Sequence, residues 1–481
     1  MGLMGLIATG VCAMMGASIN VLPFMIQRHV PGIGPYVIPA FLLAAIPALL
    51  AAFAYAILAT AMPRAGGSYL YASRGLHPYL GFVGSFSQWF GLSVVIGVVA
   101  YLTVPFLRDI AAAIGWTNVS LLLDQGIVRV SIALGLLWIF VFINIKGTVL
   151  YEKTLVPLML LMFLLGGIVI IAGFSFSQSD FMASQSSGEV NTNSTFHWPT
   201  FLSAGALLFA SFIGFDSIAQ AGGEAKDPQK KLPLAIVLTI TIVGGYYILF
   251  TSAVYHTVPW QYVAEAAQLQ DITAPGLLSQ LLPNTLTVLI ISGAAIALIN
   301  DLPAMLLSVS RLMFAWAEDS IFPSGVSKLH PTYNTPVPAL LISGSMASIG
   351  IVGSHFAGSF FLGIDIMVTA MMVNFLLMCV TLLTIDHINP TLADKISFVK
   401  NKKVRLFIGW SGSLVIFGFL IIHTWKDLQA EVEHWYFHST PVYLLVMLLA
   451  SVIYLYRYQL LLKSGLDIVR HFKNLPFSSN D

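Results

Sequence analysis

The sequence predicts an all-α membrane protein that crosses the bilayer many times. Of its 481 residues, 57% are hydrophobic and only 9% are charged, whereas a soluble domain carries about 25% charged residues. Mean hydropathy is +0.86, and the apolar residues are gathered into long runs separated by short polar connections. These features exclude a sizeable soluble domain. The net charge of +1 gives no reason to expect nucleic acid as a partner.

Twelve apolar runs are long enough to span a bilayer, which requires about 20 such residues in each helix. They cover residues 3–27, 36–62, 79–107, 126–145, 154–175, 200–221, 233–256, 285–309, 337–355, 359–384, 405–424 and 440–462. No large domain interrupts them, so the sequence predicts twelve transmembrane helices. The first run has no basic segment or cleavage site, which favours a membrane helix over a removable signal peptide.

The charges of the connections predict the orientation of the chain. With the N-terminus assigned to the cytoplasm, 18 of the 22 Lys and Arg residues fall on the cytoplasmic side. The four on the other side are Arg28, Arg108, Arg129 and Lys426. This bias follows the positive-inside rule and predicts both termini on the cytoplasmic side of the cell (inner) membrane. The basic runs 226–231 and 400–405 are expected to lie against anionic membrane lipid.

Two spans contain interruptions at mid-membrane. Residues 16–20 of the first span, GASIN, include small and polar residues and are followed by Pro23, and the sixth span contains Gly214 and Asp216. Glycine weakens a helix, proline removes a backbone donor, and freed backbone groups are tolerated at this depth only within protein or beside a cavity. Paired interruptions in two halves of a chain are typical of the binding sites of secondary transporters. Close-packing glycines of ordinary helix pairs are the open alternative.

Unwound segments at mid-membrane offer backbone groups to a ligand. Their N–H groups suit a carboxylate and their carbonyls suit an ammonium, so a pair of breaks is able to hold a zwitterion. An ionisable side chain at this depth is costly and indicates a functional site. Asp216 and Asp301, the latter in the eighth span, are therefore candidates for coupling or gating. Phe209 is expected to pack between helices, with gating over the substrate as the alternative.

Three stretches resemble signatures of the amino acid–polyamine–organocation superfamily. Residues 214–236, GFDSIAQAGGEAKDPQKKLPLAI, resemble its sixth helix and the loop that follows. Residues 310–340, SRLMFAWAEDSIFPSGVSKLHPTYNTPVPAL, resemble its loop after the eighth helix. Residues 16–23, GASINVLP, resemble more weakly the break in its first helix. Together the matches extend from residue 16 to about residue 339, and they are specific as a set.

The resemblance implies the five-plus-five inverted-repeat fold of the leucine transporter. Residues 1–175 would form the first repeat with helices 1–5, and residues 200–384 the second repeat with helices 6–10. Residues 405–462 would form two appended helices, and residues 463–481 a cytoplasmic tail. The implied function is that of an amino acid permease, a symporter or antiporter that works by alternating access, with a proton or a sodium ion as the coupling ion.

The resemblance also implies site residues, carried over by position. Those expected at the substrate are Met14, Gly16, Ala17, Ser18, Ile19, Ala210, Ile213 and Gly214. Among them, the N–H groups of residues 17–19 would meet the substrate carboxylate, and carbonyls near residues 14, 210 and 213 would meet its ammonium. Asp216 matches an acidic position implicated in gating or coupling. Glu224 and Arg311 fall within the two loop signatures and are expected to hold a gate on the cytoplasmic side.

The fifth span departs from the family pattern. Many proton-coupled members carry a lysine where this chain has Met162, so coupling through such a lysine is not expected. Coupling through Asp216, sodium coupling and simple exchange all stay open. The substrate side chain and the oligomeric state are not determined by the sequence.

Two alternatives to an amino acid permease remain. A polyamine carrier, or an amino-acid/amine exchanger of the same fold, is favoured by the two acids Asp216 and Asp301. An ion channel or a receptor is the alternative of another class, although a channel predicts a repeated polar filter that the spans do not show. The sequence contains no enzyme motif and no metal-ligand spacing, so neither an enzymatic activity, a cofactor nor a metal site is predicted.

Overall fold

The computed structural model of the chain describes residues 1–184, 195–357, 361–432, 434–465 and 467–476. Within these ranges the protein is all-α without a strand, and eleven helices are long and apolar enough to cross a membrane. These helices are Gly34–Ala61, Pro78–Ala113, Gly126–Ile145, Thr148–Ser175, Trp198–Gln220, Pro228–Thr257, Asn284–Glu318, Val337–Phe356, Leu362–Ile388, Lys402–Gln429 and Ser439–Lys463. The prediction of an all-α, multi-pass architecture is confirmed.

Shorter helices connect or precede the long ones. They are Leu3–Met14, Ala17–Asn20, Leu22–His29, Gly67–Gly75, Thr117–Leu123, Gln178–Ser184, Trp260–Leu269, Ala274–Leu278, Pro390–Ala393 and Ile468–Lys473. Local sequence explains where several helices begin. The Oδ1 atom of Asn401 accepts the N–H of Lys403 at 2.9 Å and so satisfies a donor that the first turn leaves free. Pro228 begins its helix at a position where a missing N–H costs little.

The third and eighth spans form the centre of the bundle. Helices Pro78–Ala113 and Asn284–Glu318 pack against each other, and the third span also packs against the ninth and tenth. Both helices continue beyond the apolar runs predicted from the sequence, because polar and aromatic residues end a hydrophobic run without ending a helix. Trp316, in this extension of the eighth span, is completely buried.

Both predicted interruptions are present. The first span is divided into Leu3–Met14, Ala17–Asn20 and Leu22–His29, and the sixth into Trp198–Leu208, a 3₁₀ turn at Phe209–Phe212, and Asp216–Gln220. Gly214 has a φ angle of 135°, which glycine adopts far more readily than other residues. A Cβ atom at this position would collide with the backbone carbonyl group of Ala13. The two broken helices therefore touch main chain to main chain.

Both described ends of the chain lie at the same end of the bundle, which we call the terminal face. The ammonium of Met1 donates a hydrogen bond to the backbone carbonyl of Glu224, and Pro476 lines a cavity beside Glu224. The short tail helix Ile468–Lys473 is docked there, and its Phe472 is buried. Which side of the membrane this face occupies stays a prediction.

A buried ion pair joins the connection between the second and third spans to the end of the eighth. Arg74 donates through Nη2 to Oδ1 of Asp319 at 2.7 Å and through Nη1 to Oδ2. The hydroxyl of Tyr69 also donates to Oδ2 of Asp319, at 2.6 Å, and Arg74 Nε donates to the carbonyl of Asn474 in the tail at 3.1 Å. These hydrogen bonds offset the cost of burying two charges.

Breaking this pair is expected to destabilise the protein strongly. Arg74→Met leaves the Asp319 carboxylate buried without its cation, which typically costs about 3–5 kcal/mol of the free energy of unfolding. Lys231→Met is the matched control, because the Lys231–Asp227 pair, 3.1 Å apart, lies at the surface and such pairs contribute about 0–1 kcal/mol. Thermal unfolding of the purified variants in detergent gives the comparison. Equal Tm values for the two variants would contradict this prediction.

Candidate functional site

A small cavity of about 30 Å³ lies between the broken first and sixth helices. The first, third, sixth, eighth and tenth spans contribute to its wall. The wall residues are Ala13, Ser18, Val21, Leu22, Val95, Val98, Val99, Leu102, Ala210, Ile213, Asp301, Met305, Ile364 and Met367. All of these except Ser18 and Asp301 are apolar, so the cavity suits a ligand with an apolar body and one polar end.

The residues expected at the substrate are divided between this cavity and its surroundings. Ser18, Ala210 and Ile213 line the cavity. Ile19 faces away from it and lies with Met162 around a second, smaller cavity. Gly214 touches the first span as described above. The side chain of Ala17 lies outside the described part of the structure.

Two of the carbonyls expected to bind a substrate ammonium already accept hydrogen bonds. The carbonyl of Met14 accepts from the hydroxyl of Tyr247 in the seventh span, and the carbonyl of Ala210 accepts from the N–H of Ile213 at 3.2 Å. Tyr247 is completely buried, so its hydrogen bond holds the first span in place beside the break. One lone pair of each carbonyl is used in this way.

Asp301 lies directly against the break in the first span. A Cβ atom on Gly16 would collide with Oδ2 and Cγ of Asp301, so a glycine is needed at this contact. Asp301 is 3% exposed and lines the cavity together with Ser18. The neighbouring Asn300 donates to Sγ of Cys12 at 3.0 Å, which also holds the eighth span against the first. The carboxylate thus meets the first span next to the N–H groups predicted to bind the substrate carboxylate.

Asp216 is completely buried and is not one of the wall residues. Its Oδ1 accepts the N–H of Gly214 at 3.1 Å, and its Oδ2 accepts from Nε2 of Gln88 in the third span. The Oε1 atom of Gln88 in turn accepts from three donors, which are Ser68 Oγ at 2.5 Å, Asn374 Nδ2 at 3.0 Å and Gln220 Nε2 at 3.4 Å. This hydrogen-bond network joins the break in the sixth span to the third and tenth spans.

Three polar residues of this region were not predicted from the sequence: Gln88, Asn374 and Tyr247. All three are buried within membrane spans. Ionisable residues in the middle of membrane spans indicate function. Had the same argument been applied to uncharged amide side chains, it would have predicted Gln88 and Asn374 as site residues. Tyr247 lies in a span with several other aromatic residues and gives no comparable signal.

Phe209 and Met162 lie outside the wall of the main cavity. Phe209 packs against Phe375 with ring centroids 5.9 Å apart and the rings inclined at 75°. Its role as a gate stays a prediction. Met162, at the position of the family lysine, borders the second cavity of about 10 Å³ together with Asn20 and Tyr246.

Glu224 and Arg311 form an ion pair at the terminal face. Arg311 donates through Nε to Oε1 of Glu224 at 2.6 Å and through Nη1 to Oγ of Ser310 at 2.9 Å. The pair joins the loop after the sixth span to the eighth span, beside a polar cavity of about 510 Å³ that Pro63 and Pro476 also line. The structure brings together the two residues that the loop signatures selected. Their role as a gate stays a prediction.

The sequence is similar to known transport proteins along most of its length. The profile of the amino acid permease family matches residues 1–450. Cationic amino acid transporter 4 of Homo sapiens is 27% identical over 356 residues, which are 70% of this chain and 53% of the relative. The branched-chain amino acid permease BcaP of Bacillus subtilis is 24% identical over 359 residues, 73% of each chain.

A third relative, the vacuolar cationic amino acid transporter 2 of Arabidopsis thaliana, is 26% identical over 375 residues, which are 71% of this chain and 53% of the relative. The chain thus spans about half the length of the two cationic amino acid transporters that it matches. The family profile, by contrast, covers nearly the whole chain. Because its match includes both broken helices and every span that lines the cavity, the chain belongs to the amino acid permease family.

Proposed function

We propose that this protein is a secondary active transporter that carries amino acids across the membrane by alternating access. The observation that supports it most is the cavity between the broken first and sixth helices of a chain in the amino acid permease family. Secondary transporters bind their substrates between such discontinuous helices near the middle of the bilayer. The names of the three relatives specify cationic amino acids in two cases and branched-chain amino acids in one.

The proposal includes twelve spans arranged as two inverted repeats. The segmented first helix would cross the membrane in addition to the eleven long helices, which would make twelve spans. Residues 1–175 would form the first repeat, 200–384 the second, 405–462 the appended helices and 463–481 the tail. The interruption in the first span of each half supports this division. Both termini would be cytoplasmic in the cell (inner) membrane, as the loop charges predict.

Alternating access would require two sets of contacts to break in turn. The cavity has room for about one or two water molecules, so a substrate enters only when the surrounding helices separate. The ion pair of Glu224 and Arg311 would hold the terminal face closed. At the other end of the first span, Arg28 pairs with Asp271 at 2.7 Å and donates to the carbonyl of Ala267 at 3.3 Å. These bonds would hold the opposite face closed.

Uptake into proteoliposomes tests the proposed function. The purified protein is expected to take up radiolabelled amino acids under an inward proton gradient, under an inward sodium gradient, or in exchange for internal amino acids. The three formats separate proton coupling, sodium coupling and simple exchange, which are the alternatives for the coupling partner. Absence of uptake of all twenty amino acids in every format would contradict the proposal.

Ser18→Leu is expected to reduce this uptake to background. Ser18 lines the cavity, and a leucine side chain would fill a space that is already small. Ser131→Leu is the matched control, because Ser131 is exposed on the outer surface of the fourth span and should leave uptake unchanged. Normal uptake by Ser18→Leu would show that the substrate does not pass through this cavity.

A further inference from the structure

A cavity of about 600 Å³ lies at the terminal face, apart from the broken helices. Its wall is formed by the connection between the second and third spans, the end of the tenth span, the twelfth span and the tail helix Ile468–Lys473. It shares no wall residue with the cavities of the candidate functional site. Its volume lies within the range of about 300–1,000 Å³ that is typical of ligand sites.

The apolar part of this wall continues into the outer surface of the twelfth span. Tyr454 and Phe472 line the cavity and are buried, whereas Leu455 lines it and is 54% exposed. Val452 and Leu448 are 57% and 62% exposed and lie on the same face of the helix as Leu455. In a membrane-spanning helix, such an exposed apolar face lies against the acyl chains of lipid. Because Leu455 belongs to both surfaces, the cavity opens towards hydrocarbon.

The charged part of the wall is basic. It contains Arg74, His77 and Lys473, and the described wall residues include no Asp or Glu. Arg74 is neutralised by Asp319, but Lys473 is exposed and pairs with no acid among the described residues. The Nδ1 atom of His77 accepts the N–H of Tyr79 at 3.2 Å, so the ring proton lies on Nε2, which is a donor. Lys473 and His77 therefore offer donors to an anion.

The surrounding sequence adds to this positive charge. Residues 457–473 contain four Lys or Arg residues and one acid, Asp467. The loop charges predict that the terminal face is cytoplasmic, and basic pockets between spans on that side of a membrane bind the head groups of anionic lipids. A soluble anion would leave the apolar wall without a partner, and an apolar peptide would leave the basic donors without one. A lipid satisfies both.

We propose that this cavity binds one phospholipid with an anionic head group. Its phosphate would accept hydrogen bonds from Lys473 and His77, and one acyl chain would lie along Leu455 and Tyr458. The lipid would contact the tail helix and the twelfth span together. It would thus reinforce the docking of the tail, in which Nδ2 of Asn389 donates to the carbonyl of Lys473 at 2.9 Å. The inference does not depend on the proposed transport, since the two cavities are separate.

Lipid binding by the delipidated protein in detergent tests the inference. Palmitoyl-oleoyl phosphatidylglycerol is anionic, and palmitoyl-oleoyl phosphatidylcholine has the same acyl chains but no net charge. Native mass spectrometry counts the lipids that the protein retains, and the Tm is followed in the same titration, since a ligand that binds only the folded state raises it. We expect one phosphatidylglycerol to bind and to raise the Tm at concentrations at which phosphatidylcholine does neither.

Two results of this titration would overturn the proposal. Equal retention of the two lipids would show that the cavity does not select an anionic head group. An equal rise in Tm with glycerol 3-phosphate, which has the charge but no acyl chain, would assign the basic residues to a soluble anion. Neither result involves transport, so the proposed function would stand in both cases.

Variants of the wall locate the lipid. Lys473→Gln removes one basic donor and is expected to weaken phosphatidylglycerol binding by about fivefold, the effect of one basic residue close to an anionic membrane surface. Lys463→Gln is the matched control, because Lys463 is exposed near the end of the same span and does not line the cavity. Equal weakening by both variants would show that the charge acts without a site and would overturn the proposal.

Leu455→Asn tests the apolar part of the wall. It places a polar group where the acyl chain would lie, and it is expected to lower the number of phosphatidylglycerol molecules retained. Size-exclusion chromatography of the same variant identifies a different occupant of this surface. A wild-type dimer that dissociates in Leu455→Asn would assign the cavity to a second copy of the chain and overturn the proposal.

Discussion

Gly16→Ala is expected to abolish amino acid uptake while the protein still folds. The new Cβ would occupy the position of Oδ2 and Cγ of Asp301, so the carboxylate must move away from the break in the first span. The side chain of Asn20 donates to the carbonyl of Gly16 at 3.3 Å, a bond that a shift of the backbone would also disturb. Displacement of a site group by about 1 Å lowers enzyme rates by about a hundredfold, and we expect a loss of this size in uptake.

Gly167→Ala in the fifth span is the matched control for this substitution. Nothing lies within 4 Å of a Cβ atom built at Gly167, and alanine favours a helix over glycine by about 1 kcal/mol. This variant is therefore expected to keep its uptake and to be at least as stable as the wild type. Uptake is measured in proteoliposomes with equal protein content, after size-exclusion chromatography has shown that both variants are folded. Wild-type uptake by Gly16→Ala would show that the contact between Gly16 and Asp301 is not needed for transport.

Asp216→Asn is expected to abolish uptake, because it places the side-chain NH₂ groups of residue 216 and of Gln88 opposite each other with no acceptor between them. The side-chain oxygen of the new residue is able to keep the N–H of Gly214 as its donor, which turns the new NH₂ group towards Nε2 of Gln88. Gln88 is not free to turn its oxygen towards this NH₂ group, because that oxygen holds the three donors of the buried network. Buried donors left without partners cost about 1–3 kcal/mol each. Uptake in proteoliposomes and the Tm measure the two effects, and wild-type values of both would contradict the prediction.

A second substitution separates the two roles that Asp216 would have in transport. In the double variant Asp216→Asn with Gln88→Glu, the new amide donates to the new carboxylate, which has a second oxygen for the donors of the network. We expect the double variant to regain the Tm of the wild type. Gradient-driven uptake that returns with the Tm would show that Asp216 positions the helices. Uptake that stays absent would show that the negative charge is needed at Asp216 itself, as coupling requires.

The membrane architecture was predictable because it depends on local properties of the chain. The length of an apolar run and the charge of a loop act within a few residues of each span. The predicted ends agree with those of the long helices within six residues, except in the eighth span, which continues nine residues past its predicted end. That extension contains Arg311 and Trp316, which are buried by neighbouring elements and not by lipid. Hydropathy alone does not detect burial of this kind.

The contacts of the site were less predictable because they join residues far apart in the chain. Gln88 and Asp216 are separated by 128 positions, and a single sequence does not show which helix faces meet. Gly16 and Asp301 were each predicted as site residues from their own chemistry. The contact between them was not predicted. Glu224 and Arg311 are the exception, since each belongs to a loop signature of the family that the chain resembles.

The crossing of the two interrupted helices has a mechanical consequence. Gly214 lies on the carbonyl group of Ala13, so one main chain rests directly on the other. Side chains between two helices adjust by changing rotamers. Main-chain atoms in direct contact have no side chains between them that could rearrange when one helix moves. We therefore expect a displacement of either helix to move its partner as well. A substrate that pulls on one of them would set the position of both.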